Sequence, residues 1–196
     1  MIDLLALITI ILWPVIPLFW IPVHGLPRIF KRLGLLTYAI PLISWLPFAY
    51  FIYSIRTFIL PFKIELPFIL NISGIPLLIL GILLHIWTGR LLGLWGLIGL
   101  PEVSVRIKGK LVTEGPFSVV RHPTYFAHTL MFAGIFLITE VAAVGIITIL
   151  DFFFIHVFII PLEEKELLNR FDEGYRLYRE RVSKFFPHIH RKNLKT

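Results

Sequence analysis

Five apolar runs separated by short polar segments fix what this chain can become. They extend from about Leu4 to Val23, Leu33 to Leu60, Phe68 to Leu92, Tyr125 to Ile138 and Val141 to Ile160. Inside a bilayer every backbone N–H and C=O must find a partner within the protein, so continuous apolar runs of this kind fold as helices. With 57% apolar residues in 196, the expected fold is all-α: a multi-pass transmembrane helical bundle of about five spans, forming one integral membrane domain. Three spans occupy residues 1–92, and the rest of the chain, 93–196, holds the hairpin of spans four and five and a polar tail.

Pro14 and Pro17 are expected to kink the first span, whose freed carbonyls neighbouring helices can satisfy. Met1-Ile2-Asp3 carries no basic flank, so this span is expected to stay as a helix rather than be cleaved. The fourth run gives only about 21 Å of helix. Whether it crosses or dips, the break at Thr139-Glu140 sends the chain back through span five, and the two outer ends of the hairpin share one face. Pro161 is expected to close span five. After it, Leu167, Leu168, Phe171, Tyr175, Tyr178 and Val182 recur at helical spacing, which predicts an amphipathic helix from Leu162. Pro187 and Phe185-Phe186 turn it toward the membrane surface, and Arg191 to Thr196 form a basic tail.

Of the 19 Lys and Arg residues, all but Arg56 and Lys63 flank the same ends of the spans. Basic loops are retained in the cytoplasm, which predicts an outside N-terminus and a cytosolic C-terminus. The net charge of +7 is thereby a topology signal. No nucleic-acid partner is expected, because the basic residues flank apolar spans or alternate with acids instead of forming a soluble basic face. The absence of cysteine excludes disulfides, thiolate metal sites and cysteine nucleophiles; no metal site is expected.

Two charged segments bracket the hairpin. Arg121-His122-Pro123-Thr124-Tyr125 reads as a helix start with Pro at the first position, where free N–H groups and a basic pair attract an anion. The same cluster would also serve as an interfacial anchor. Glu163-Glu164 suits the first turn of a helix, or a ligand with hydroxyl or ammonium groups. Taken together on one face, they suit a ligand carrying both an acid and such donors, as S-adenosylmethionine does.

Lys110-Leu111-Val112-Thr113 with Gly115-Pro116-Phe117, then Arg121 to Tyr125, then Glu163-Glu164 with Phe171, Tyr175, Tyr178, Val182 and Pro187, resembles the isoprenylcysteine carboxyl methyltransferase family, whose broader pattern phospholipid N-methyltransferases share. The resemblance covers about the C-terminal half. It implies an integral membrane enzyme that binds S-adenosylmethionine, releases S-adenosylhomocysteine, and methylates a lipophilic acceptor taken from the membrane lipids. It places Lys110, Leu111, Val112, Phe117, His122, Pro123, Thr124, Tyr125 and Glu163 around the cofactor, with Glu102 at a further polar contact. Backbone groups of Lys110 to Val112 would meet the adenine edge, Phe117 or Tyr125 its ring, Glu163 the ribose hydroxyls or the ammonium, and His122 the carboxylate. The family's arginine that meets a substrate carboxylate, four residues before Glu163, is Ile159 here, which leaves the prenylcysteine acceptor open. No catalytic base is assigned.

Gly109 and Gly115 do not make a dinucleotide fingerprint, and no alternation of strand and helix surrounds them. Two rivals remain: an NADPH-dependent sterol-reductase-like enzyme, against which the acidic pair argues, and a non-catalytic lipid-binding or scaffold protein. Asp151, ionisable in mid-span, is either functional or hydrogen-bonded to a neighbouring helix. His85 and His156 read as structural residues satisfied locally. Gly74 and Gly81 would permit close helix packing.

Overall fold

The computed structural model describes residues 2–104, 106–107 and 109–186; Pro187 and the basic tail from Arg191 lie outside the described residues. The chain opens with α1 (Ile2–Leu12) and α2 (Val15–Gly25), separated at Trp13-Pro14 yet forming one apolar rod of 24 residues. A second rod follows as α3 (Pro27–Leu33), a 3-10 turn over Gly34–Tyr38, and α4 (Ala39–Ser54), before the short α5 (Arg56–Ile59). The second span therefore begins at Pro27 and ends at Ser54, rather than running from Leu33 to Leu60. Pro27 at the first helical position starts it early, and the chain leaves the helix at Ile55 before Arg56.

The third span is α6 (Phe68–Leu97), longer than its apolar run, with a non-helical backbone at Gly93 (φ 71°, ψ 167°) that bends its last turn. After α7 (Leu100–Val103) and a 3-10 turn over Gly115–Ser118, α8 (Pro123–Thr139) forms the fourth apolar helix. Glu140 caps it in the left-handed conformation (φ 59°), where the notable turn at Thr139-Glu140 is made. α9 (Ala142–Phe154) then returns antiparallel to α8.

Pro161 does not close span five. A π turn over Ile155–Ile159 joins α9 to α10 (Ile160–Phe171), and the whole apolar-to-polar rod Ala142–Phe171 is continuous. The Ile160 N–H bonds the carbonyl of Ile155, five residues back. Pro161 then falls at the opening of the next α turn, where its missing N–H leaves no partner stranded. The tail is consequently two helices, not one: α10 ends where Asp172 takes a positive φ of 46°, and α11 (Glu173–Arg181) starts in a new direction.

Among the described residues there is no strand, only isolated bridges such as Lys63 with Val141, and the all-α multi-pass bundle stands. Its outer surface is greasy: Phe68 and Ile69 are each 77% exposed, as lipid-facing side chains are. Inside, α6 and α8 run antiparallel with their backbones touching. A Cβ built on Gly134 would lie 2.7 Å from Leu78 N and 2.8 Å from Gly74 O, and one on Gly81 would lie 2.9 Å from Ala127 O. Small residues at such a crossing let helices in lipid reach van der Waals contact. Asp151 is buried and accepts a 3.1 Å hydrogen bond from Trp13 Nε1 on the first rod.

One face of the bundle gathers the N-terminus, the α5–α6 loop and the hairpin turn. Lys63 pairs with Asp3 at 3.0 Å, and Ile64 N–H donates to Glu140 O at 2.8 Å. The opposite face gathers α3, α7, the described residues between α7 and α8, α10 and α11. The sequence motifs all fall there.

Candidate functional site

Arg121, His122 and the glutamates of α10 meet at the start of α8. Val120 forms an isolated parallel bridge with Ser183, and Arg121 N–H and His122 N–H donate to Ser183 O (2.8 Å) and Lys184 O (3.3 Å), tying the entry of α8 to the chain after α11. The Arg121 guanidinium turns inward: Nε and Nη2 donate to Glu164 Oε1 at 3.0 and 2.7 Å, while Nη1 donates to the carbonyls of Arg179 and Val182. His122, buried, presents Nε2 to Glu164 Oε1 at 3.2 Å. Its Nδ1 stands 3.5 Å from Glu163 Oε2, an ion-pair separation rather than a hydrogen bond.

The two acidic and basic segments thus touch each other instead of facing across a gap. His122, the residue expected to receive a ligand carboxylate, has the protein's own Glu163 and Glu164 beside it. Two glutamates already occupy the positive end of α8, so an incoming anion would meet carboxylates there. Burial opposes a charge on His122, but the Glu163 carboxylate beside it and the Glu164 carboxylate it hydrogen-bonds outweigh this and raise its pKa above the ordinary 6.5. A raised folded-state pKa contributes stability that is complete below the unfolded value and fades as pH rises through the folded one. Thermal melting in detergent should therefore show wild type losing more stability than His122→Gln between pH 6 and pH 9, by roughly 1–3 kcal/mol. Parallel curves would show that His122 carries no such charge.

A second charge cluster lies one turn along. Glu163, Glu166 and Arg170 share a face of α10. Arg170 Nη2 donates to Glu102 Oε1 on α7 at 2.8 Å and lies 3.1 Å from Glu166 Oε2, and Lys31 approaches Glu166 Oε1 at 3.8 Å. Tyr178 of α11 donates its hydroxyl to the Phe117 carbonyl at 2.6 Å and pins the 3-10 turn.

These elements enclose a cavity of about 520 Å³, within the range of small-molecule sites. Of the residues singled out in the sequence, Glu102, Lys110, Leu111, Val112, Phe117, His122, Thr124, Tyr125 and Glu163 all line it. Pro123 does not; it is buried as the first residue of α8, and its part is to start that helix. Glu164 is also absent from the lining, engaged with Arg121. Buried polar atoms without a hydrogen-bond partner cluster at the cavity: Glu102 Oε2, Glu163 Oε2, Thr124 Oγ1 and Tyr175 OH. A buried acceptor left unmade costs about 1–3 kcal/mol, and several around one space are what a ligand with hydroxyl or ammonium donors satisfies.

The sequence reading missed Arg170, His85, His128, Trp20 and Trp95, all of which line the cavity. Arg170 was signalled by its spacing of seven from Glu163, two helical turns on one face. His128 stands three residues after Tyr125 for the same reason. His85 leaves its Nδ1 buried without a hydrogen-bond partner, and His156, whose Nδ1 meets Phe152 O at 2.8 Å, leaves its Nε2 so. Trp20 arrives from the first rod, and nothing local announces it. Among the described residues no three His, Asp or Glu side chains gather as a metal site.

Comparison with known proteins agrees with this architecture. The chain is 34% identical over 87 residues to the cobalt-zinc-cadmium resistance protein CzcN of Cupriavidus metallidurans, a stretch covering 44% of this chain and 40% of that protein. It is 32% identical over 87 residues, with the same coverage, to the nickel-cobalt-cadmium resistance protein NccN of Alcaligenes xylosoxydans xylosoxydans. The match thus spans about two fifths of the length of these curated relatives. No solved structure matches the chain. The family model described as phospholipid methyltransferase matches residues 69–174, more than half of the chain and nearly all of the cavity wall from α6 to α10, and the chain belongs to that family of membrane methyltransferases.

Proposed function

We propose that this chain transfers the methyl group of S-adenosylmethionine to a lipophilic acceptor at the cytosolic face of a membrane. The observation that carries the reading is the pair of buried carboxylate oxygens without a hydrogen-bond partner, Glu102 Oε2 and Glu163 Oε2, on residues that line one cavity. They fit the donors of this cofactor, its ribose hydroxyls and its ammonium, as hydrogen-bond acceptors. Val112, Phe117 and Tyr125 offer the apolar and aromatic wall that an adenine ring packs against.

The cofactor supplies a methyl group on a cationic sulfonium. The protein's part is alignment and the exclusion of water. Arg121 and His122 hold Glu164 and Glu163 in place, Arg170 holds Glu102, and the 3-10 turn pinned by Tyr178 closes the polar side. A second cavity of about 430 Å³, lined by apolar residues such as Leu12, Ile16, Leu42 and Trp45, shares Trp20 and Leu97 with the first. That apolar neighbour supports a greasy acceptor entering from the bilayer. The basic residues on the cavity's face support its being cytosolic. The names of the two relatives describe resistance to metals and state no reaction.

Titration of the purified protein with S-adenosylhomocysteine tests the reading directly. Binding is expected, and Glu163→Ala should weaken it by about 10- to 150-fold, the equivalent of roughly 1.5–3 kcal/mol for hydrogen bonds to a charged group. Glu140→Ala, at the hairpin turn on the opposite face, should leave the affinity unchanged. NADPH in place of S-adenosylhomocysteine should not bind, since its phosphates would meet Glu102 and Glu163. Preferential binding of NADPH, or equal losses from the two substitutions, would overturn the assignment.

A further inference from the structure

The crossing of α6 and α8 carries two side chains that cofactor binding leaves without a task. Gly81 lies so close to α8 that its Cβ would meet Met131 Cγ at 2.7 Å and Ala127 O at 2.9 Å. This approach sets His85, one turn beyond Gly81, against His128, one residue beyond Ala127. Their ring centroids are 4.9 Å apart with planes inclined at 34°. Both rings line the 520 Å³ cavity, and Nδ1 of each is buried without a hydrogen-bond partner. Were the pair only filling space between helices, leucine or phenylalanine would do so without stranding two nitrogens. From α6 the titratable group facing His128 is His85; on α8 itself its neighbour is the edge of Phe132, and no charged side chain among the described residues acts on it.

The cavity's cations are committed elsewhere. Arg121 is bound to Glu164, Arg170 to Glu102 and Glu166, and Lys110 to Glu114 at 3.5 Å. Ile159 is fully buried in the cluster with Tyr125, Ile155, Ile160 and Phe185. An acceptor carboxylate would find no cation of its own among these residues. A protic head group, by contrast, meets two imidazoles with nitrogen atoms to spare.

We propose that His128, with His85 beside it, is the catalytic base that takes a proton from the amine head group of a lipophilic acceptor. The inference rests on the methyltransferase reading above and adds to it the residue that takes the acceptor's proton. The amine arrives as an ammonium, and an N–H proton passes to an imidazole nitrogen of His128. The freed nitrogen lone pair forms the new N–CH3 bond, the S–CH3 bond breaks with its electron pair remaining on sulfur, and the positive charge of the sulfonium ends on the methylated nitrogen. A base at such a position contributes about 10²–10⁴ in rate.

The test uses the full chain in detergent micelles containing phosphatidylethanolamine as the amine probe or farnesylcysteine as the carboxylate probe, with methyl-labelled S-adenosylmethionine. S-adenosylhomocysteine binding is measured first. Wild type and His128→Gln should bind it alike, while His128→Gln should transfer methyl to the amine about 100-fold more slowly at pH 7, in kcat rather than KM. At pH 9.5 the amine sheds its own proton to water, and the defect should shrink to about tenfold or less. His85→Gln should lose less than His128→Gln. If His128→Gln does not fold, His128→Phe, which keeps a ring in the stack, is put through the same measurements. A defect of equal size at both pH values, unimpaired transfer, loss of S-adenosylhomocysteine binding by the variant, or no wild-type transfer to the amine would each overturn the role of His128. Wild type failing to bind S-adenosylhomocysteine is the separate result that removes the cofactor reading and this one with it.

Discussion

Arg121→Ala is expected to destabilise the protein by about 3–5 kcal/mol, the loss found when one partner of a buried ion pair is removed. The guanidinium is 9% exposed and its partner Glu164 13%, so the carboxylate left behind cannot recover its hydration. The same change removes the donor to the carbonyls of Arg179 and Val182 at the end of α11. Those bonds hold α11 against the entry of α8, and α11 carries Tyr178, which pins the turn at Phe117. Lysine should not rescue the variant, since a single ammonium cannot reach a carboxylate and two carbonyls in a fixed fork. Thermal melting in detergent, read with limited proteolysis near Asp172, checks both parts. A melting temperature within about 2 °C of wild type, against the roughly 2–4 °C expected per kcal/mol for a chain of this size, would mean that the arginine is not holding the tail.

Gly134→Val should cost about 3 kcal/mol, the upper end of what overpacking does in a filled interior. The added Cβ would fall 2.7 Å from Leu78 N and 2.8 Å from Gly74 O. Both are backbone atoms in a helix, so neither can swing aside as a side chain would, and α6 and α8 must separate along their length. Asn71, which donates to Leu137 O at 2.9 Å, would be drawn off with them. Gly174→Ala is the matched control: nothing lies within 4 Å of its Cβ position on α11, and alanine there should be neutral or slightly stabilising. Similar melting of the two variants would show that the crossing is looser than its geometry.

The spans were legible because lipid imposes so few solutions on an apolar run. The cavity residues were legible as types for a different reason: Lys110 to Phe117, His122 to Tyr125 and Glu163 sit in short segments whose local chemistry is visible in the letters. Their pairing was not. Arg121 with Glu164 and Arg170 with Glu102 depend on how α10 is rotated relative to the start of α8 and to α7, and that is decided by packing between residues more than forty positions apart. Pro161 misled because its usual effect on a helix was applied without knowledge of the turn before it. His85 and His128 are brought together by Gly81, whose capacity for close packing is visible in the sequence while the helix it packs against is not.

The π turn at Ile155–Ile159 bears on every comparison between this chain and its relatives. Such a turn is an α-helix holding one surplus residue. Rewinding these five residues as ordinary α-helix with none removed would rotate everything beyond them by about 100°. Glu163 would then turn away from His122, and Arg170 from Glu102, with no residue of the cavity itself altered. A relative aligned with its gap placed elsewhere would present the wrong glutamate as equivalent. The identity of the acidic residue at this site is therefore set by a count of residues that touch no ligand.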